Sequence, residues 1–195
     1  VCGIGYNGNE YQATNCGKIT NEYQLWLGML RRCTEEYFSR NQTYKGVSCS
    51  ENFKSYTFFY EWCQEQVGFG NKDEKGNTWQ LDKDILVKGN KLYSEDTCVF
   101  IPSRLNKLLT KNDSARGEHP LGVYFHKHTK KYYVQCQGLS GKQEFIGYYA
   151  TKEGAFQAYK IFKEDIIKSV ANKYKSKIDS RVYEALILWK IEIDD

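Results

Sequence analysis

The chain has 195 residues and a net charge of +4, with 41% hydrophobic residues, 15% aromatics and two prolines. That length is enough for one large domain or two small ones with a packed core, and so little proline without a low-complexity tract argues against long disorder. No run of about 18 apolar residues is present, which speaks against a membrane span. No signal-peptide pattern opens the sequence, whose first residue is Val.

Residues 1–19 are rich in Gly and Asn and read as loop with a short hairpin. Thr20 or Asn21 can cap a helix, with Leu25, Met29, Cys33 and Tyr37 at helical spacing and Trp26 and Leu30 beside them. Ser50 can cap a second helix with Phe53, Tyr56, Tyr60, Cys63 and Val67 on one face. Both stripes read as core. The polar run Asn71–Thr78 reads as a loop between modules. Trp79–Ile85 and Thr97–Ile101 are predicted strands around a turn at Val87–Asn90, and Pro102 suits the first turn of a helix carrying Leu105, Leu108 and Leu109 and ending near Thr110. A charged linker follows over 111–120. Three antiparallel strands are expected at Gly122–His126, Tyr132–Gln137 and Glu144–Tyr148. Thr151 caps a long helix bearing Ala155, Tyr159, Phe162, Ile166 and Val170, and a last helix is expected at Ser180–Trp189. The fold class is therefore α+β: N-terminal helices with a ββα module over 1–110, then a three-stranded antiparallel sheet packed on a long helix, with a C-terminal helix, over 121–195.

The seven cysteines, at 2, 16, 33, 49, 63, 98 and 136, are odd in number and include no C-x-x-C pair. This reads as reduced, mostly buried thiols in a cytosol. The alternative, a zinc site of Cys33, Cys49, Cys63 and Cys98, has ligands too widely spaced for the usual structural patterns, so structural zinc is not expected. Charge is uneven. Between Pro102 and Lys142 eight basic residues (Arg104, Lys107, Lys111, Arg116, Lys127, Lys130, Lys131 and Lys142) face two acids, Asp113 and Glu118, in a chain of net charge +4, so this stretch carries the whole positive excess. It is either a solvated basic face or a surface for a polyanion.

Gly122–Glu164 resembles the Apetala-type (ethylene-response-factor) domain. The marks are Gly122-Val123-Tyr124, the Gly141-Lys142 turn, Gly147 with Tyr149, Thr151 and the helix from Ala155 to Tyr159. Trp79–Thr110 resembles the ββα core of phage HNH endonucleases, and with the helix around Leu25-Trp26 to Cys33 and the segment Thr43–Val47 nearly the whole chain resembles phage-encoded homing-endonuclease-type proteins carrying both modules. The resemblance implies a double-stranded DNA partner, no membrane, and a place in the cytoplasm of the host cell. The sheet would lie in the major groove. Tyr124, His126, Gln135, Gln137, Lys142 and Gln143 are the candidate base and phosphate contacts, at most four of them expected on the DNA face, with Arg104, Lys107, Arg116, Lys130 and Lys131 as further DNA-binding residues.

An HNH nuclease needs a His after an apolar-Asp pair, and here Leu81-Asp82 is followed by Lys83. The central Asn position falls near Tyr93 or Ser94 and the last ligand near Cys98, while His119, His126 and His128 all lie outside the module. A charged Lys is a poor general base, and loss of the base costs about 10²–10⁴ in rate. The candidate catalytic residues are Asp82, Lys83, Asp84 and Asn90. Asp82 and Asp84, at i and i+2 of the expected strand and so on one face of it, are the candidate ligands for Mg or Mn, with Asn90 or Glu95 to complete the set. Three functions stay open: a metal-dependent DNA endonuclease or nickase, a catalytically inactive DNA-binding regulator or anti-defence protein, and a module whose basic stretch binds an acidic protein.

Overall fold

The protein is described by a computed structural model covering residues 1–109 and 118–193. The candidate contact Arg116, and most of the predicted linker with the expected helix end at Thr110, lie outside these residues. The chain divides into two units. The first holds Val1–Asn106 and Lys177–Val182, the second Lys107–Ser176 and Tyr183–Asp195. The polar run Asn71–Thr78 thus lies within the first unit rather than between modules. Asp73 closes it locally, its Oδ1 accepting from the backbone N–H of Lys75 and Asn77, both at 2.9 Å.

The first unit opens with the hairpin β1 (Thr14–Asn15) and β2 (Lys18–Ile19). Cys16 and Gly17 both have positive φ, 48° and 75°, as a two-residue turn between twisted strands requires. Thr20 then caps α1 (Asn21–Arg32), its hydroxyl accepting from Tyr23 N. The expected stripe to Tyr37 is broken: Thr34 accepts from Tyr37 N and starts α2 (Glu35–Arg40), so the buried face of α1 is Trp26, Met29 and Leu30. The second expected helix is also two. Ser50 caps α3 (Glu51–Lys54), and Ser55, itself in extended conformation, caps α4 (Tyr56–Glu65). The kink buries Phe53, Tyr56, Phe59, Trp62 and Cys63 and leaves Tyr60 half-buried, with Val67 exposed beyond the helix end. Trp26 donates its ring N–H to Phe53 O at 2.8 Å, and Phe53, Trp62 and Phe100 pack ring against ring. β3 (Ser48–Cys49) pairs in parallel with β5 (Leu92–Tyr93), and β4 (Gln80–Asp82) pairs antiparallel with β6 (Val99–Ile101) ahead of α5 (Ser103–Leu109).

In the second unit β7 (Val123–His126), β8 (Lys131–Gln137) and β9 (Gln143–Tyr149) form an antiparallel sheet in that order. Thr151 caps α6 (Lys152–Tyr174), which packs on all three strands. Its buried side chains include Ala155, Phe156, Tyr159, Ile166, Ile167 and Val170, whereas Phe162 is half-buried. α7 covers Ser180–Ile187, shorter than expected. Glu164, almost buried on α6, accepts from Ile191 N at 3.0 Å and so tethers the end of the chain within its unit. Gly122, just ahead of β7, has φ +72°, and a Cβ there would lie 2.2 Å from the Tyr159 ring and 2.9 Å from Gln135 O. Gly122→Ala should therefore destabilise the protein by about 2–4 kcal/mol, from the left-handed backbone and the overpacked contact together. A lowered urea midpoint, with loss of amide-exchange protection in β7 and β8, is the expected readout.

Candidate functional site

The ββα loop is built around Asp82. This residue ends β4 and is buried. Its Oδ1 accepts from the backbone N–H of Asp84 at 3.0 Å and of Ile85 at 2.8 Å. That capture turns the chain, so the strand expected to run to Ile85 stops at Asp82, and Asp84 does not share a strand face with it. Burial first, then the neighbouring Asp84 carboxylate, push Asp82 up to about 6 against the pull of those two N–H groups.

Lys83 is almost buried, its side chain 11% exposed. Its ammonium donates to Asp84 Oδ2 at 3.1 Å and to Asn90 O at 2.8 Å, and lies 5.7 Å from the centre of the Tyr93 ring. Asn90 closes the loop from the other side. Its Nδ2 donates to the carbonyls of Lys83 at 2.6 Å and Leu92 at 2.7 Å, while Leu92 N donates to its Oδ1 at 3.1 Å. The structure thus brings Asp82, Lys83, Asp84 and Asn90 together, as a closed polar clasp. Glu95 turns to other partners, Ser50 Oγ at 2.8 Å and Asn52 Nδ2 at 2.5 Å. Ser94 bonds Thr97 through their hydroxyls at 2.8 Å, and Cys98 is fully buried, its thiol pushed up to about 12 chiefly by that burial.

The donor set fits a divalent cation poorly. One Asp82 oxygen already serves two N–H groups, an Asp84 oxygen faces an ammonium, and among the described residues no three His, Cys, Asp or Glu are grouped to hold a metal. The seven cysteines are free thiols, with Cys63, Cys98 and Cys136 buried.

The second constellation is the sheet face turned away from α6. Val123, Val134 and Cys136 are buried on the helix side. Alternation and cross-strand register then put Tyr124, His126, Lys131, Tyr133, Gln135 and Gln137 on the other side. β9 joins them through a bulge. Val134 pairs with Gly147 but Gln135 pairs with Phe145, so Ile146 is an extra residue. The bulge reverses the facing of the first half of β9 and brings Phe145 and Gln143 to the same side as Tyr148. Five of the six candidate sheet contacts therefore share this face, and Lys142 stands in the turn beside them. Lys130, in left-handed conformation with φ 52°, and Lys127 lie in the hairpin at the opposite end of β8.

Rings cross this face from strand to strand. Tyr124 stacks on Tyr133 with centroids 5.1 Å apart and planes at 21°, Tyr133 meets Tyr148 at 6.2 Å, and Tyr148 meets Phe145 at 5.2 Å. His126 lies 5.8 Å from Tyr148 and is fixed by Thr129, whose Oγ1 is 2.9 Å from its Nδ1. Gln137 donates its Nε2 to Gly141 O at 2.7 Å, so part of its amide is committed to the turn. Arg104 and Lys107 are exposed on α5, Arg104 in the first unit's share of that helix and Lys107 in the second's. The aromatic continuity of the outer face escaped the sequence reading, although Tyr133, Phe145 and Tyr148 were all within predicted strands.

Compared with family models, curated proteins and solved structures, the chain finds no match. Among the described residues no helix is long and apolar enough to cross a membrane.

The Asp82 environment carries a pH signature. A carboxyl raised in the folded state contributes stability that is present below its ordinary value near 4 and lost as pH rises through about 6. Asp82→Asn keeps an oxygen for the two N–H groups and removes the ionisation. The variant should match the wild type near pH 4 and exceed it above pH 6 by on the order of 1–3 kcal/mol. Urea midpoints taken across that interval test this, and a difference that does not change with pH counts against a raised Asp82.

Proposed function

We propose that the protein is a sequence-selective, double-stranded DNA-binding protein of the phage homing-endonuclease type, and that it engages DNA through the outer face of the β7–β9 sheet. The observation that carries this reading is the register, bulge included, which gathers Tyr124, His126, Gln135, Gln137 and Gln143 on one side with Lys131. Lys127 and Lys130 stand beyond one end of β8 and Lys142 beyond the other. A narrow antiparallel sheet fits the major groove. Glutamine amides suit the donor and acceptor pattern of adenine, and lysines suit phosphates. The resemblance to Apetala-type domains points the same way.

The test is binding of labelled duplexes over a salt series. Replacing Lys130 and Lys131 by Ala should weaken all duplexes alike and lower the salt slope by about two, near one per phosphate contact. Replacing Gln135 and Gln137 by Ala should relax sequence preference, with Gln135 contributing more because Gln137 is partly held by Gly141. A steep loss of binding with salt separates DNA from an acidic protein partner.

For the ββα loop the non-cleaving reading is favoured, and the specific support is Lys83, whose ammonium is enclosed by Asp84, Asn90 O and the Tyr93 ring where the resemblance places a catalytic His. The loop then serves as scaffold and the protein as a DNA-binding regulator or anti-defence factor. Supercoiled plasmid with Mg²⁺ or Mn²⁺ should stay intact at protein concentrations that saturate binding. Nicking that disappears in Asp82→Ala or Asp84→Ala would establish the metal-dependent nickase instead.

A further inference from the structure

We infer that the outer face of the β7–β9 sheet takes unpaired bases, and that the DNA it prefers is a duplex interrupted by an unpaired stretch. This rests on the DNA-binding reading above and narrows it. Solvated faces of antiparallel sheets ordinarily alternate toward polar side chains. Here Tyr124, Phe145 and Tyr148 are 44%, 55% and 51% exposed, and with Tyr133 they make a ring-to-ring path across three strands.

Charge decides between a protein and a nucleic acid as the occupant. None of the strand positions on this face is a carboxylate. Lysines stand at both ends of β8, Lys127, Lys130 and Lys131 at one and Lys142 just beyond the other. Seven residues of strand set those ends roughly 20 Å apart. A polyanion could bridge the two basic ends while its bases lie over the rings.

Ring chemistry decides between paired and unpaired bases. In a duplex the base faces are covered by their neighbours and only the edges are open in the groove. Phe145 has nothing with which to read an edge except the thymine methyl, and that would account for one ring of the four. Exposed ring faces match base faces, which are available only where bases are unstacked. Such stacking tolerates any base, because every base has a π-face.

The experiment compares three labelled DNAs of one sequence and length by fluorescence anisotropy: the intact duplex, the same duplex with a central mismatched bubble, and the single strand. The bubble should bind more tightly than the intact duplex. Phe145→Ala and Tyr148→Ala should each weaken bubble binding about tenfold, the effect of losing one stacked base, and should weaken the intact duplex clearly less. Phe145→Trp should retain tight bubble binding, which separates stacking from a folding defect. Equal affinity for bubble and duplex, with Ala variants weakening both alike, overturns the inference and leaves the DNA-binding reading standing. Absence of binding to any of the three at low salt removes both. Self-association in sedimentation that Phe145→Ala abolishes would assign the face to a second copy of the chain and likewise overturn the inference.

Discussion

Everything proposed for the second unit depends on one packing constraint, the burial of one face of β8 against α6. β8 is paired on both sides, so its backbone groups are satisfied within the sheet. Val134 and Cys136 point at the helix, and Tyr159 fits over Gly122 because no Cβ stands in the way. Once that face is closed, period-two alternation leaves every other side chain of the three strands directed to solvent. The outer face owes its composition to that geometry, and its rings remain exposed although they are apolar.

The first unit is organised differently. Its centre is a cluster of aromatic rings from α1, α3, α4 and β6, joined to the backbone by the Trp26 ring N–H. Polar residues occupy the loop between β4 and β5, and almost all of their hydrogen-bonding capacity is turned inward. An almost buried ammonium is tolerable only when it meets a carboxylate, a carbonyl or a ring, and Lys83 meets all three. Asp82 stays buried for a similar reason: its acceptor oxygen ends a strand by capturing the N–H groups of Asp84 and Ile85.

Much of this was legible in the sequence. Thr20, Ser50 and Thr151 are capping residues ahead of apolar periodicity, and each does begin a helix. The three C-terminal antiparallel strands followed from alternation and turn residues. The breaks at Thr34 and Ser55 were not legible, because a Ser or Thr inside a periodic stripe can equally bond its own helix or start a new one, and only tertiary packing chooses. The strand end at Asp82 was hidden because an Asp at a strand position gives no sign of whether its side chain faces water or the following backbone. Asp82, Lys83, Asp84 and Asn90 were picked out together from the resemblance. That Lys83 would be enclosed by Asp84, the Asn90 carbonyl and Tyr93 depends on a loop closure that no local pattern encodes.

The bulge at Ile146 lets β9 absorb one residue without changing which of its side chains face outward. Phe145 and Tyr148 are an odd number of positions apart, which would place the two rings on opposite sides of a regular strand; leaving Ile146 unpaired brings them to one side. A lineage that lost Ile146 would pair as a regular strand in the same register and keep Phe145 and Gln143 on the side of Tyr148. When related chains are aligned, a one-residue gap at this point would therefore mark loss of the bulge with the outer face preserved, whereas a one-residue insertion or deletion within Gln143–Phe145 would change which side chains that face carries.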